Sequence, residues 1–345
     1  MIDVGILGAT GVVGQQFIAQ LADHPWFNVA WLGASERSAG KRYDEATAWR
    51  LPTALPPTIG RLPVELARPG SAPRLMFSAL DAAAATDLER AFAAEGHLVV
   101  SNARAFRMEA DVPLLVPEIN ADHLAVADRQ AVSRGWRGRL VTNPNCSTVV
   151  LTMALAPLKR FGIRQVIVTT MQAISGAGYP GVASWDILGN VIPFIDGEEG
   201  KIETETRKIL GTMTERGIEF HDAVISAQTT RVPVHHGHTE SISVALAERP
   251  SPEAIIESWT SFRGRPQELA LPSAPPQPVL YLDEANRPQP LLDASRGRGM
   301  TVTVGRLRRC SVLDFKFIAL GHNTIRGAAG AAVLNAELMH HEGLI

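Results

Sequence analysis

The chain contains two cysteines, and their neighbours differ. Cys146 lies in Asn143-Pro144-Asn145-Cys146-Ser147-Thr148, directly ahead of the apolar run from Val149 to Leu155. Pro144 and the flanking asparagines mark a turn and the start of a helix. A thiol at that place feels the positive end of the helix, which lowers its pKa from about 8.5 and raises its thiolate fraction. That is one route to a nucleophile. A small core residue is the other reading of a lone cysteine, and spacing alone leaves the two level. Cys310, among Arg308, Arg309 and Ser311, has no helix start ahead of it and reads as structural.

A reactive thiol needs a base. His235-His236-Gly237-His238 follows Arg231 in a strand-turn setting and offers candidates, while Gln172 and Ser175-Gly176-Ala177-Gly178 read as a substrate loop. The histidines also raise the question of zinc. A metal site needs further Cys, His or carboxylate ligands, none is obviously placed, and no metal is expected.

A second constellation opens the chain. Gly8-Ala9-Thr10-Gly11-Val12-Val13-Gly14 stands between a β-like run, Ile2 to Leu7, and a helix-like segment, Gln15 to Ala22. Glycines there permit a tight turn and close approach of backbone to a pyrophosphate, whose charge the free N–H groups of the helix start receive. A tight turn that needs glycine only for packing is the bland reading, and the β-turn-α context speaks against it. Near the end of the second strand candidate, Asn28 to Leu32, stands Ser35-Glu36-Arg37-Ser38. Arg37 with two hydroxyls suits a ribose 2'-phosphate and so NADP. Glu36 pulls toward NAD, and a solvated polar loop stays open as a further reading.

These groups must be positioned by a scaffold. Strand candidates Leu75 to Phe77 and Leu98 to Val100, separated by the helical stretch Ala82 to Ala94, continue the alternation and predict an α/β fold with an N-terminal Rossmann-type, doubly wound parallel sheet. After Cys146 the runs Gln165 to Gln172, Ile242 to Leu246, Met300 to Val304 and Phe315 to Ala319 predict a second, α+β domain with a mostly antiparallel sheet. The division expected is 1–145 for the nucleotide domain, completed by a C-terminal helix within 324–345, and 146–323 for a catalytic and dimerisation domain. From Arg249 to Arg298 the chain is proline-rich, with one helix candidate, Pro252 to Phe262, and otherwise loop character; it reads as an excursion toward a partner subunit.

Composition bounds the rest. Hydrophobic residues make up 46% and charged residues 20% of 345 residues, enough for two cores and too apolar for extensive disorder. A formal net charge of -2 gives no electrostatic reason to expect nucleic acid or an anionic membrane as partner. No apolar run reaches the roughly 18 residues of a membrane span, and no secretory leader is visible. A cytoplasmic location with reduced thiols is the expectation.

In order and spacing these segments resemble the aspartate-semialdehyde dehydrogenase family, particularly its archaeal and fungal-like branch. The resemblance rests on the glycine turn with Thr10 to Val13, the Ser35 to Lys41 loop, Ser101-Asn102 with Arg107, and Asn143 to Thr148. It continues through Gln172 to Gly178, Glu198-Glu199-Gly200-Lys201, Arg231 to His238, and Gly321-His322-Asn323-Thr324. It implies reversible, NADP-dependent conversion of aspartyl phosphate to aspartate semialdehyde and phosphate, a step toward lysine, threonine and methionine. By the family pattern Cys146 is the nucleophile, His238 the acid/base, and Gln172 orients the acyl group. Arg231 holds the substrate carboxylate and Glu198 its ammonium; Arg107 and Lys201 take the phosphate, and Asn145 helps hold the substrate. Gly8, Thr10, Gly11, Val12 and Val13 form the dinucleotide turn, Ser35, Arg37 and Ser38 hold the 2'-phosphate, and Ser78, Ser175, Gly176 and Asn323 approach the nicotinamide half. The resemblance implies a homo-oligomer, dimer or tetramer.

Malonyl-CoA reductase shares this scaffold, cysteine and histidine, but offers no ammonium for Glu198 to meet. N-acetylglutamyl-phosphate reductase is a weaker competitor. A non-catalytic NADP-binding protein is the rival from another class, and an inert Cys146 would favour it.

Overall fold

The computed structural model describes all 345 residues, which divide into two compact units. The first comprises Met1–Leu115, Ala121–Pro144 and Ala328–Ile345; the second comprises Val116–Asn120 and Asn145–Gly327. The short piece Val116–Asn120 is one that a simple division at residue 145 does not separate. Its place follows from chemistry, because Glu118 accepts two hydrogen bonds from Arg326 (2.6 and 2.7 Å) with both side chains fully buried, and Gly264 packs on its backbone.

In the first unit six parallel strands, β1 (Ile2–Leu7), β2 (Phe27–Ala34), β3 (Val64–Leu66), β4 (Leu75–Ser78), β5 (Leu98–Ser101) and β6 (Arg139–Thr142), run in the order β3-β2-β1-β4-β5-β6. β4 and β5 are buried at every residue, so they are continuous apolar runs rather than alternating ones, as a sheet covered on both faces requires. The order reverses between β1 and β4, and the chain turns there through the glycine-rich loop. The helix Ala82–Glu95 shows how the connections are punctuated. Asp81 caps it by accepting from the Ala83 and Ala84 amides, and Gly96 ends it at φ 107°, a left-handed conformation that glycine adopts without strain. The C-terminal helix Gly330–His341 is buried from Gly330 to Met339 and packs on β5 and on the helix Val12–Leu21. Its Glu337 meets His24 at 2.7 Å.

The second unit holds β7 (Ile163–Gln172), a hairpin of β8 (Thr212–Thr214) and β9 (Gly217–Glu219), then β10 (Val224–Arg231), β11 (His238–Leu246), β12 (Val279–Leu282), β13 (Val302–Arg309) and β14 (Phe315–Gly321). The large sheet is ordered β10-β7-β11-β14-β13-β12. Its centre is antiparallel, and both edge strands, β10 and β12, pair parallel. The helix Cys146–Leu155 is apolar nearly all round because it lies between the sheet strands β11, β13 and β14 and a second helix, Glu198–Ile209. The proline-rich stretch departs from its loop reading. Beyond the helix Pro252–Thr260 it supplies edge strand β12, and Trp259 is buried with its indole N–H donating to the Ala154 carbonyl (2.8 Å). No helix is long and apolar enough to cross a membrane.

Candidate active site and nucleotide pocket

Strand register assembles the chemistry of the second unit. Arg231 stands beside Gln172 in the parallel β10–β7 pair, and His238 beside Gly321 in the antiparallel β11–β14 pair. Thr239 faces Met171, so His238 falls next to Gln172, and the four strand ends form one rung. Every side chain in that rung is buried. Cys146 is the first residue of its helix, and its Sγ lies 3.2 Å from His238 Nε2. His238 is completely buried, and its Nδ1 lies 3.0 Å from the Ala173 amide N. Burial, aided by the nearby charges of Arg231, His322 and His236, pushes its pKa down to about 3. Two glycines allow this crowding. A Cβ on Gly176 would lie 2.8 Å from Arg231 Nη1 and 3.0 Å from His238 Cε1, and one on Gly327 only 2.6 Å from Cys146 Cβ.

Asn145 caps the Cys146 helix: its Oδ1 accepts from the Ser147 and Thr148 amides at 2.9 and 3.1 Å. Its Nδ2 donates to Glu198 Oε1 at 2.6 Å, so the residue expected to hold substrate also orients a carboxylate. Glu198 is buried and paired with Lys201 (2.9 Å). Burial opposes its ionisation, but Lys201, Asn145 and Gln172 together outweigh that and hold its carboxyl below the ordinary range. Arg231 donates from Nη1 to the Ala173 carbonyl at 2.8 Å, and its charge interacts with both Cys146 and Glu198. Asn323 braces the turn that delivers His238: its Oδ1 accepts from Gly237 N (2.9 Å), and its Nδ2 donates to Ser175 Oγ (2.8 Å). No cluster of three or more His, Cys, Asp or Glu is placed to hold a metal ion. Ala173 and Gly327 escaped the sequence reading. Ala173 acts through its main chain, which no side-chain pattern reveals, and Gly327 lies inside an alanine-rich helical stretch.

The first unit carries the nucleotide features. A cavity of about 660 Å³ is lined by Gly8, Thr10, Gly11, Ser35, Glu36 and Arg37, with Leu66 and Leu88 among its apolar walls. Gly8 takes φ +74°, and a Cβ on Gly14 would lie 2.4 Å from the Gly8 carbonyl oxygen, so those two glycines serve the turn itself. A Cβ on Gly11 would meet only that oxygen, at 3.4 Å, and would otherwise reach into open space. The turn's carbonyls are pinned inward: Ala9 O accepts from Tyr43 OH (2.8 Å) and Thr10 O from Thr47 Oγ1 (3.1 Å). The helix from Val12 has no side-chain cap, which leaves its first amides for an anion. Turn and cavity therefore fit a dinucleotide phosphate. Ser38, Val12 and Val13 are not part of the cavity wall, and Ser38 N closes a turn onto Ser35 O (3.0 Å). Ser78 is wholly buried at the end of β4. Arg107 belongs to this unit, where its Nη2 donates to the Asn102 carbonyl (2.7 Å).

A nucleotide-binding Rossmann unit and a unit that sets a cysteine against a histidine, in one chain, define an oxidoreductase that works through a thiol. Comparison with known proteins sharpens that class. Residues 3–127 match the semialdehyde dehydrogenase NAD-binding domain and residues 155–326 the semialdehyde dehydrogenase dimerisation domain. The chain is 48% identical over 343 residues to an aspartate-semialdehyde dehydrogenase of Archaeoglobus fulgidus, covering 99% of each chain. It is 49% identical over 352 residues to that of Schizosaccharomyces pombe, again covering 99% of each. Its fold matches a crystal structure of aspartate-semialdehyde dehydrogenase with NADP from Candida albicans with a TM-score of 0.92, at 43% identity and full coverage of both chains. The chain belongs to the aspartate-semialdehyde dehydrogenase family.

Proposed function

We propose that the chain catalyses the reversible, NADPH-dependent reductive dephosphorylation of L-aspartyl 4-phosphate to L-aspartate 4-semialdehyde, with Cys146 as nucleophile. The observation that carries this reading is the Cys146 Sγ to His238 Nε2 contact of 3.2 Å, set beside buried Arg231 and Glu198. Cys146 attacks the acyl carbon, phosphate leaves with the C–O electron pair, and a thioester to Sγ remains. NADPH, held by the Gly8–Gly14 turn with Arg37, Ser35 and Ser38 toward its 2'-phosphate, supplies the hydride. The sulfur then departs with its electron pair as the aldehyde C=O re-forms.

The substrate's own charges match the residues gathered here. Arg231 offers a fork to the α-carboxylate, and Glu198, held ionised, takes the ammonium. Lys201 and Arg107 receive the phosphate, while Gln172 and Asn145 orient the acyl group. Gly176, Ser175 and Asn323 shape the nicotinamide side, with Ser78 contributing from the end of β4. The first unit, with the C-terminal helix, is the NADP-binding domain, and the second the catalytic and dimerisation domain. The enzyme is a cytoplasmic homo-oligomer built on a homodimer. An exposed sheet face bearing Ile167 (48% exposed) and Val224 (66%), together with the exposed Trp185 (94%) of the helix Ser184–Ile187, supports that assembly.

The test is NADP reduction by purified protein with aspartate semialdehyde, with and without phosphate, beside NADPH oxidation with malonyl-CoA. Phosphate-dependent activity on the semialdehyde is expected. Activity on malonyl-CoA alone would keep Cys146 and His238 and overturn the roles of Glu198, Lys201 and Arg107.

A further inference from the structure

A turn can offer a phosphate only those amides that the protein has not already used. Gly8 and Ala9 both donate their N–H to the Gly33 carbonyl (2.9 and 3.1 Å), and Gly11 donates to the Gly8 carbonyl (3.1 Å). Between them the Thr10 N–H has no partner in the chain, and Thr10 lines the cavity of about 660 Å³. A trans peptide sets a carbonyl and the N–H that follows it in opposite directions. The direction of the Ala9 carbonyl therefore decides the direction of the Thr10 N–H. With that peptide turned over, an oxygen would face a bound pyrophosphate in place of a donor.

Tyr43 sets that carbonyl. Its hydroxyl donates to Ala9 O at 2.8 Å, and its side chain is wholly buried. Burial holds the phenol well above its ordinary range, so the hydroxyl stays a donor. The main chain around Tyr43 is anchored independently of the turn. Tyr43 N donates to Leu62 O (2.9 Å), Gly40 N to Val64 O and Val64 N to Lys41 O (both 2.8 Å), which ties the segment to β3. A second hydroxyl repeats the pattern one peptide further on. Thr47 Oγ1 donates to Thr10 O (3.1 Å), the carbonyl whose following N–H, that of Gly11, closes the turn. Gln15, 1% exposed, staples the same segment to the first helix: its Nε2 donates to Ala48 O (3.0 Å) and its Oε1 accepts from Arg50 N (2.8 Å).

We propose that Tyr43 and Thr47 are positioning residues for the cofactor, whose hydroxyls lock the Ala9–Thr10 and Thr10–Gly11 peptides so that the Thr10 N–H is presented to the pyrophosphate of NADP. This deepens the cofactor half of the reading above and rests on it. Both residues act through the main chain of the turn. Because the pyrophosphate is common to NADP and NAD, the lock serves both, whereas Arg37 is directed at the 2'-phosphate alone. One segment, Ser35 to Thr47, thus carries two separable functions, a choice between cofactors at its start and a grip on either cofactor at its end.

The experiment is calorimetric titration of the full chain with NADP, NAD and 2'-AMP, with urea unfolding of each variant alongside. Tyr43→Phe keeps the ring and removes the hydroxyl. It is expected to weaken NADP and NAD alike by about tenfold, the worth of one hydrogen bond to a charged group, and to leave 2'-AMP, which has no pyrophosphate, within about twofold of wild type. Thr47→Val is expected to show the same pattern, and Thr47→Ser, which keeps the hydroxyl, to bind as wild type does. A side chain that only packs would lose unfolding stability and leave the affinity of the folded protein where it was, so unchanged NADP affinity in Tyr43→Phe overturns the proposal. An equal loss for 2'-AMP, or a loss confined to NADP, overturns it too. Binding needs no aspartate semialdehyde, so the outcome is independent of the reaction assigned above. A wild-type chain that binds neither NADP nor NAD would remove the cofactor reading and the proposal together, whereas NADP binding that Tyr43→Phe does not move removes the proposal alone.

Discussion

Gly176→Ala measures how tightly the site is held. Gly176 does not need its glycine for a left-handed turn; it needs it for space. The added Cβ would lie 2.8 Å from Arg231 Nη1, 3.0 Å from His238 Cε1 and 3.1 Å from His238 Nε2. Comfortable contact begins near about 3.5 Å, so one of these groups must retreat by roughly 0.5–0.7 Å. Catalytic constellations tolerate about 0.5 Å, and a 1 Å displacement can cost about 100-fold, so a fall of about 10- to 100-fold in kcat/KM is expected, or ~1.4–2.7 kcal/mol of transition-state stabilisation. If the neighbours refuse to move, the strain appears instead as about 1–3 kcal/mol of lost folding stability. Initial rates with aspartate semialdehyde and urea unfolding of the same preparation separate the two. Gly200→Ala is the control, since its Cβ would meet nothing within 4 Å on the helix Glu198–Ile209. A Gly176→Ala protein within threefold of wild type in kcat/KM, with an unchanged unfolding midpoint, would refute the claim that this loop fixes His238 and Arg231.

Arg37→Ala should weaken NADP by about 10- to 100-fold while leaving NAD nearly unchanged, the worth of one or two charge-assisted hydrogen bonds to a 2'-phosphate; equal losses for both in a fluorescence titration would contradict that role. Cys146→Ala should abolish turnover with NADP binding intact, and residual activity within tenfold of wild type would sink the nucleophile assignment. Glu118→Ala strands Arg326, whose side chain is fully buried, and should cost about 3–5 kcal/mol in urea unfolding, whereas a Glu118→Leu, Arg326→Met double variant should recover much of it. Glu240→Gln should become progressively more stable than wild type as pH rises. The folded carboxyl of Glu240 is held well above its ordinary 4.5, so the unfolded chain ionises first and wild-type stability falls above that pH by up to about 1.4 kcal/mol per unit; parallel stability curves from about pH 5 to 8 would refute the buried neutral acid.

The first unit was legible because its signals are local. An apolar run, a turn that only glycine can make and a helix follow one another within about twenty residues, and β4 and β5 are short apolar runs of the same local kind, whereas β3 and β6, three and four residues long with Glu65 and Arg139 among them, were missed. The second unit was legible only in its middle. Ile242 and Phe317 sit opposite each other in strands that alternate, and both were found. β12 was missed because Val279–Leu282 is four residues set among prolines, and its strand character comes from pairing with β13 rather than from its own pattern. β10 was missed because Val224–Arg231 is half polar, with Ser226, Gln228 and Thr230 on its open side. The Glu118–Arg326 pair joins residues 208 apart in the chain, a separation that no reading of neighbours can close.

The site shows the same division at finer grain. Cys146 and His238 were visible as residue types, while what brings their side chains together is register. Arg231, Gln172, His238 and Gly321 end four adjacent strands, so a slip of one residue in any pairing would turn that strand's contribution to the opposite face. The rung beneath, Thr229, Thr170, Glu240 and Ala319, faces the same way and is wholly buried. There the Thr229 hydroxyl and both oxygens of Glu240 lack partners, an arrangement that costs stability and that a purely structural layer would replace with aliphatic side chains. The nearest comparison is within the strand itself. Two residues further along β11 stand Ile242 and then Val244, both buried and apolar, so the sheet can fill this face with hydrocarbon and does so as soon as it leaves the site. The polar rung therefore lies between the proposed site above it and the aliphatic packing below, and the pH dependence of Glu240→Gln reads its charge state directly.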